Sequence, residues 1–207
     1  MEERPRIFSA EDDYSPAIEP FRAGGIIAYP TETFYGLCVD PFNELAIKAL
    51  YEVKGRPPAS PMPLIIGEAS MLSSVVSEIS PQAQKLINRF WPGPLTIVFR
   101  ARPGLPSILT AGTGTIAVRL SGSPCARRLS STLSSPITST SANPSGSPPA
   151  TKAAGVLSYF DGSIDILIDG GGLKGMKGST IVDATGERLV VLREGEIASS
   201  EILISLG

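Results

Sequence analysis

Three adjacent side chains that can form hydrogen bonds, Thr31, Glu32 and Thr33, directly follow the short apolar run at 26–29. An apolar run of this length is typical of a buried strand, and Pro30 ends it because proline has no backbone N–H to donate. Polar groups at the end of a buried strand are where α/β proteins place the side chains that bind ligands. The segment therefore predicts that hydroxyl groups face a small ligand.

Cationic residues stand at the ends of other predicted elements. Lys54 and Arg56 come at the end of a predicted helix, where they would either complement the helix dipole or bind an anion together, as a planar fork and a point charge. Arg119 lies in the apolar strand TIAVRL, and Arg193 ends the strand VVLR. A charge in such a strand needs a partner, because its removal from water costs free energy. That partner is either a bound anion or a carboxylate within the protein.

Hydroxyl and amide side chains complete this pattern in three further segments, at Ser60, at Ser139, Ser141 and Asn143, and at Ser179. Together with the cations they suit a small anionic or zwitterionic ligand and a second ligand that carries phosphate. The chain contains no histidine, which excludes Ser-His-Asp and Cys-His catalysis and the usual zinc sites. The residues therefore predict transfer between two bound substrates, without a covalent intermediate on the protein.

Two segments have competing interpretations. The serine- and proline-rich stretch at 130–151 has the composition of a disordered linker, but its position between a predicted strand and a predicted helix favours a ligand-binding loop. The sequence GGGLKG at 170–175 matches G-x-G-x-x-G, yet no helix is predicted after it, as a dinucleotide-binding site requires. No lysine directly precedes Ser179, so the P-loop pattern is also missing. We interpret the glycines as a tight loop that brings Ser179 and Thr180 close to a ligand.

Segments rich in isoleucine, valine and leucine alternate with helical patterns, which predicts an α/β domain. The 207 residues and the net charge of -2 suit one domain over residues 1–207. There is no apolar run of about 18 residues and no signal peptide, so we expect no membrane span and a cytoplasmic location. Cys38 and Cys125 are expected to be packing residues. Helices are predicted at 12–23, 43–54, 81–90, 124–132, 150–158 and from 199, and strands at 26–29, 63–66, 95–100, 115–120, 137–139, 164–168, 179–183 and 188–193.

Six segments resemble, in this order, the YrdC/Sua5 family of threonylcarbamoyl-AMP synthases: YPTETFYGL, KGRPPASP, WPGPLT, TIAVRL, TSAN and GSTIVD. The resemblance covers roughly residues 15–195 and is to the short, single-domain form of the family. It implies an α/β fold with a twisted mixed sheet of parallel and antiparallel strands, flanked by helices and enclosing a large concave, basic cavity. It also implies a nucleotidyltransferase that converts L-threonine, bicarbonate and ATP into L-threonylcarbamoyl-AMP and pyrophosphate.

The resemblance implies roles for the candidate residues. For threonine it implies contacts from three hydroxyls and one cation, Thr31, Ser139, Ser179 and Arg119. For ATP it implies contacts from seven cationic and polar residues: Lys54, Arg56, Ser60, Thr115, Ser141, Asn143 and Arg193. Of these, Lys54 and Arg56 would be catalytic. Ser60 stands where the family usually has asparagine or lysine, and the histidine that some members carry on the next strand is absent. Contacts of residues 60–66 with the substrates therefore stay open.

The resemblance also implies ligands and partners. Mg²⁺ would accompany ATP as a substrate, with no metal held by the protein itself and no tightly bound cofactor. Downstream proteins would pass the threonylcarbamoyl group to adenosine 37 of tRNA, and direct contact with tRNA or double-stranded RNA is compatible with a basic cavity. Two other functions fit the sequence: a paralogue of the same fold that acts on another carbamoyl or acyl adenylate, and a non-catalytic RNA-binding module. The net charge of -2 disfavours the RNA-binding module.

Overall fold

The computed structural model describes residues 4–57, 61–175 and 177–206. Within these ranges the chain forms short helices and strands that alternate, as the sequence predicts. The strands are β1 (Arg6–Ser9), β2 (Ile27–Pro30), β3 (Tyr35–Cys38), β4 (Leu64–Ile66), β5 (Leu95–Arg100), β6 (Thr115–Leu120), β7 (Ile137–Thr138), β8 (Thr140–Ser141), β9 (Ile166–Asp169), β10 (Thr180–Asp183) and β11 (Val190–Arg193). The helices are α1 (Ile18–Arg22), α2 (Glu44–Lys54), α3 (Leu72–Val75), α4 (Pro81–Phe90), α5 (Ser107–Thr110), α6 (Pro124–Leu133), α7 (Ala153–Phe160) and α8 (Ser199–Ile204).

The strands are divided between two mixed sheets. One sheet has the order β1-β9-β2-β3-β8, and the other has the order β11-β10-β5-β6-β4-β7. Each contains parallel and antiparallel pairs: β2 is parallel to β9 and antiparallel to β3, while β5 is parallel to β10 and antiparallel to β6. The predicted mixed α/β architecture is confirmed, with the strands in two sheets where the sequence predicted one.

The chain crosses from one sheet to the other at Ser139. The strand predicted at 137–139 is two short strands, because β7 pairs with β4 of the six-stranded sheet whereas β8 pairs with β3 of the five-stranded sheet. Ser139 stands between them, and its N–H donates to the carbonyl of Pro63 (2.7 Å). The serine- and proline-rich segment thus forms the end of α6 and strands of both sheets, so the linker interpretation is wrong.

Capping residues explain why several helices begin and end where the sequence predicts. The side chain of Asn43 accepts hydrogen bonds from the backbone N–H groups of Leu45 and Ala46 (both 3.1 Å), and Gly55 ends α2 with a left-handed φ of 58°. Both α4 and α6 begin with a capping serine followed by proline at the first helical position. These helices match the predicted ranges to within a residue.

Other elements differ from their predicted ranges. The helix predicted at 12–23 is only α1, preceded by a 3-10 turn at Ser15–Ala17, since prolines at 16 and 20 remove backbone donors. Helix α7 begins three residues later than predicted because Ala150 is extended and exchanges backbone hydrogen bonds with Tyr35 and Ala142. Strands β1 and β3 were not predicted. Neither has the alternation of apolar and polar residues that marks a half-buried strand: β3 is buried throughout and β1 is largely exposed.

Two clusters of buried apolar side chains pack the helices on the sheets. One contains Phe21 of α1, Leu129 of α6 and Ile27 and Ile166 of the five-stranded sheet. The larger contains residues of α2, α4 and both sheets, and it holds the two sheets in one packed unit around the loops that carry the polar residues. In the part of the chain that the structure describes, no helix is long and apolar enough to cross a membrane.

Candidate functional site

A cavity of about 680 Å³ lies where the two sheets face each other. The segment that follows β2 and the strand β8 form one side, while β5, β6, β10 and β11 form the other. The cavity is lined by eight of the eleven residues for which the resemblance implies contacts: Thr31, Arg56, Thr115, Arg119, Ser139, Ser141, Ser179 and Arg193. Of the other three, Lys54 and Asn143 are not among the lining residues, and Ser60 lies outside the described residues.

The face of the six-stranded sheet that lines the cavity combines apolar and polar side chains. Because alternate residues of a strand share a face, Thr115, Ala117 and Arg119 of β6 all line the cavity, next to Thr96 and Val98 of β5. Thr96 is 4% exposed, and its Oγ1 lies 2.8 Å from Oγ of Ser179. Sequence reasoning missed Thr96, although its position at the start of the strand after WPGP was the available signal.

The hydroxyls of Thr31 and Thr33 have different environments at the turn after β2. Thr31 Oγ1 donates to the carbonyl of Phe34 (2.7 Å) and accepts from the N–H groups of Thr33 (3.2 Å) and Phe34 (3.3 Å). Thr33 Oγ1 has only Thr31 Oγ1, at 3.3 Å, as a partner among the described residues. Thr31 therefore fixes the shape of the turn, and Thr33 has the hydroxyl that is more available to a ligand.

Arg119 has a carboxylate partner within the protein and also lines the cavity. Its Nη1 donates to Glu32 Oε1 (2.7 Å), and the other oxygen of Glu32 accepts from Ser121 Oγ (2.6 Å). Burial opposes the ionisation of Glu32, but the charge of Arg119 and the hydrogen bonds from Ser121 and Gly122 outweigh it, so the pKa of Glu32 lies below its usual value. The two alternatives for the partner of Arg119 are thus compatible, because a guanidinium has further N–H groups for a ligand.

Arg193 and Ser179 are joined at the opposite edge of the cavity. Arg193 donates from Nη2 (2.7 Å) and Nε (3.3 Å) to the carbonyl of Ser179, which fixes the plane of the guanidinium. Burial and the nearby charge of Arg119 both lower the pKa of Arg193. Two guanidinium groups that repel each other across a cavity favour an anion between them, because the anion removes the repulsion.

Arg56 is the third arginine of the cavity. It follows the glycine that ends α2, and its guanidinium lies over the ring of Tyr51, 5.9 Å from the centroid. No carboxylate of the described residues forms an ion pair with it. Stacking on an aromatic ring leaves the N–H edge of the guanidinium available to a ligand.

Lys54 lies behind the cavity wall. It is 3% exposed, and its Nζ donates to the backbone carbonyls of Ser141 (2.5 Å) and Asn143 (2.8 Å). Burial, with a smaller contribution from the charge of Arg56, lowers its pKa to about 8. Asn143 is also turned inward, and its Nδ2 donates to the carbonyls of Pro144 and Ser147 (both 2.9 Å). Both side chains hold the loop that carries Ser141, and their contact with ATP stays a prediction.

The glycine-rich segment at 170–175 packs on the turn after β2. A Cβ on Gly170 would lie 2.6 Å from Pro30, so only glycine fits this contact without a shift of the backbone. The hydroxyl of Tyr35 donates to the carbonyl of Gly171 (2.9 Å) and accepts from the N–H of Gly170 (3.0 Å). The segment has no helix after it, as the sequence predicted, and it supports the cavity wall near Thr31 and Thr33.

The described lining of the cavity is cationic and rich in hydroxyls. It contains three arginines, eight serine or threonine residues and no carboxylate. Its volume is in the range of roughly 300–1,000 Å³ that small-molecule sites have. Such a cavity suits two small ligands, of which at least one is strongly anionic.

The fold and this cavity define an α/β protein with a cationic, hydroxyl-rich cavity lined by residues of two mixed sheets. The model of the Sua5/YciO/YrdC family, described as telomere recombination, matches residues 19–195. The chain belongs to this family, which confirms the resemblance found in the six segments.

Three relatives named threonylcarbamoyl-AMP synthase are similar in sequence. The protein of Pyrococcus abyssi (strain GE5 / Orsay) is 39% identical over 181 residues, which are 87% of this chain and 53% of the relative. That of Bacillus subtilis (strain 168) is 37% identical, over 90% of this chain and 54% of the relative. That of Halorhodospira halophila (strain DSM 244 / SL1) is 39% identical, over 76% of this chain and 84% of the relative. The chain thus spans about half the length of the first two.

Solved structures confirm the fold. P. abyssi Sua5 in complex with L-threonine has a TM-score of 0.92 and 35% identity, covering 99% of this chain and 61% of that one. E. coli YciO has a TM-score of 0.83 and 26% identity, covering 95% of this chain and 97% of that one.

Proposed function

We propose that the chain is an L-threonylcarbamoyl-AMP synthase. It joins L-threonine, bicarbonate and ATP to give L-threonylcarbamoyl-AMP and pyrophosphate, the first step towards N6-threonylcarbamoyladenosine at position 37 of tRNA. The observation that carries this proposal is the convergence of three arginines and a set of hydroxyls on one cavity, with no described lining carboxylate. The names of the relatives and the L-threonine complex of P. abyssi Sua5 support the choice of substrates.

Threonine binds on the side of Arg119. Its carboxylate pairs with the N–H groups of Arg119 that Glu32 does not use, and this ion pair is strong because Arg119 is only 8% exposed. The hydroxyls of Ser139, Ser179 and Thr33 lie around the same cavity and are suited to the amino and hydroxyl groups of threonine. Thr31 contributes by fixing the turn, as well as through any direct contact.

ATP binds with its phosphates between Arg56 and Arg193. Ser141 and Thr115 line the same cavity and offer hydroxyls to the phosphates or the ribose. Within the described ranges no three acidic, cysteine or histidine side chains are grouped as a metal site would require. Mg²⁺ enters with the phosphates of ATP as part of the substrate, since Mg²⁺ is usually bound through substrate phosphates and one or two carboxylates. Lys54 and Asn143 act by holding the loop of Ser141.

The reaction needs no nucleophile from the protein. The threonine ammonium and bicarbonate give the carbamate, water and a proton. A carbamate oxygen then attacks the α-phosphorus of ATP, and the bond to the bridging oxygen breaks, so that pyrophosphate leaves with the electron pair. The arginines stabilise the charge that develops on the phosphoryl oxygens, and the cavity holds the two substrates in line.

Two further expectations follow from this function. Other proteins take the threonylcarbamoyl group onward to tRNA. A cytoplasmic location fits this role, since the tRNA that receives the group is there.

The proposal is tested by pyrophosphate release from ATP, Mg²⁺ and bicarbonate, with and without L-threonine. We expect release to depend on both threonine and bicarbonate. L-serine and L-valine, which lack the methyl or the hydroxyl group, serve as controls and should support slower release. Release that is equally fast without threonine would contradict the function, and release that prefers another amine or acid would indicate a paralogue with a different adenylate product.

A further inference from the structure

Glu32 lies between two cavity-lining threonines, but it is turned away from them. Its carboxylate contacts the end of β6 and the turn that follows: Oε1 accepts from Arg119 Nη1 (2.7 Å) and from the N–H of Gly122 (3.4 Å), and Oε2 accepts from Ser121 Oγ (2.6 Å). The side chain is 21% exposed, and that of Arg119 is 9% exposed. Each oxygen of Glu32 is therefore held by at least one donor from β6 or from the turn that follows it.

This contact connects the two sides of the cavity. Glu32 follows β2 of the five-stranded sheet, whereas Arg119 belongs to β6 of the six-stranded sheet, 87 positions away in sequence. A second bond supports the same contact, since Ser123 Oγ donates to the carbonyl of Pro30 (3.2 Å). The turn after β2 and the guanidinium of Arg119 are thus fixed relative to each other before any ligand binds.

The remaining N–H groups of Arg119 have no acceptor among the described residues. Of its nitrogens, only Nη1 donates a hydrogen bond to a described residue, although the side chain is almost wholly buried and lines the cavity. Buried donors that lack a partner are costly, so these groups require a ligand or water in the cavity. An arginine held at one nitrogen can present its other edge in a fixed direction, as planar recognition of a carboxylate requires.

We propose that Glu32 is a positioning residue, which holds one terminal nitrogen of Arg119 so that the free edge of the guanidinium faces the carboxylate of the amino-acid substrate. This inference rests on the proposed function, because it assigns the anion at Arg119 to that substrate. Glu32 does not contact the substrate itself. It acts on amino-acid binding and leaves the ATP side of the cavity unchanged.

The two possible roles of Glu32, positioning Arg119 and neutralising its charge, predict opposite effects of the loss of Glu32 on carboxylate binding. If Glu32 only neutralised Arg119, its loss would leave a stronger cation and tighter binding of a carboxylate. If it positions Arg119, its loss lets the guanidinium rotate, and binding weakens. Glu32→Gln separates the two, because the amide keeps an acceptor for Arg119 but removes the charge, whereas Glu32→Ala removes both.

The test measures KM for L-threonine and for ATP by pyrophosphate release, together with thermal melting. We expect Glu32→Ala to raise the threonine KM by about tenfold or more, as a misplaced binding group does, with the ATP KM within about twofold. Glu32→Gln should restore the threonine KM to within about threefold of the wild type. The matched control is Glu78→Ala, which breaks an exposed ion pair with Arg100 away from the cavity and should change neither constant.

If Glu32→Ala fails to fold, Ser121→Ala tests the same positioning of Arg119 and keeps the charge of Glu32. It removes the donor to Oε2 and should raise the threonine KM by about threefold, since one of the bonds that hold Glu32 is lost. A lower melting temperature with an unchanged threonine KM, a lower threonine KM in Glu32→Ala, or equal constants in Glu32→Ala and Glu32→Gln would each overturn the proposal. Loss of threonine dependence in the wild type would instead overturn the proposed function, so the two failures are distinct.

Discussion

Single residues decide the chemistry of the cavity, because each of its three arginines has a different contact within the protein. Arg119 and Arg193 were singled out because a charge in an apolar strand needs a partner, and Arg56 because it follows the end of a helix; all three line one cavity. Sequence could not show that Arg119 has both an internal partner and a place in the cavity, because Glu32 meets it from a different sheet. It also predicted Lys54 and Arg56 as phosphate ligands; Arg56 lines the cavity, whereas Lys54 donates to the backbone of the loop that carries Ser141, and its contact with ATP stays a prediction.

Lys54 gives a prediction at this scale. Its pKa is lowered to about 8, so the folded protein releases this proton at lower pH than the unfolded chain does. Between pH 8 and the usual value of 10.5 the unfolded chain binds more protons, and the free energy of unfolding rises with pH relative to a variant without this group. We therefore expect the free energy of unfolding of the wild type, minus that of Lys54→Met, to increase with pH in this window by at most about 1.4 kcal/mol per pH unit.

Urea denaturation at several pH values between 7 and 10.5 measures this difference. Lys48→Met is the matched control, since Lys48 lies on the same helix and is half exposed, and its difference from the wild type should stay flat. A difference that stays flat for Lys54→Met as well would contradict the buried, loop-holding position of Lys54.

At the scale of elements, sequence patterns predicted the helices with strong capping residues and the strands with long apolar runs. They missed the division of 137–141 into two strands of different sheets, because pairing with β4 and with β3 depends on residues distant in sequence. They also missed β3, whose buried YGLC sequence has no alternation and contains a glycine. That glycine has a packing reason: a Cβ on Gly36 would lie 3.1 Å from the ring of Tyr29, which is fully buried.

A second prediction concerns Gly36. Gly36→Ala forces the Tyr29 ring to shift beneath the cavity wall, and we expect it to lower the free energy of unfolding by about 1–3 kcal/mol, as overpacking of a core does. Gly155→Ala in α7 is the control, since its Cβ would make only ordinary contact at 3.4 Å and alanine favours a helix over glycine by about 1 kcal/mol. Urea denaturation of both variants compares them, and equal stability of Gly36→Ala and the wild type would contradict the packing described here.

In the molecule as a whole, each of the two mixed sheets supplies one side of the cavity, and the packing of the sheets fixes the two sides relative to each other. Residues from strands spread between β2 and β11 line the cavity, so its chemistry depends on the complete fold. The ordered segments predicted the family and eight of the lining residues from sequence alone. Thr96 and the link from Glu32 to Arg119 needed the structure, because neither has a sequence pattern that sets it apart from ordinary polar residues.

If this cavity joins threonine, bicarbonate and ATP, the identity of the product shows it. The protein is incubated with ATP, Mg²⁺, ¹⁵N-labelled L-threonine and ¹³C-labelled bicarbonate, and the adenylates are identified by mass spectrometry. We expect one adenylate that carries both the nitrogen and the carbon label, formed together with pyrophosphate. An adenylate that carries the nitrogen label without the carbon label, or AMP with no labelled adduct, would contradict the proposed function.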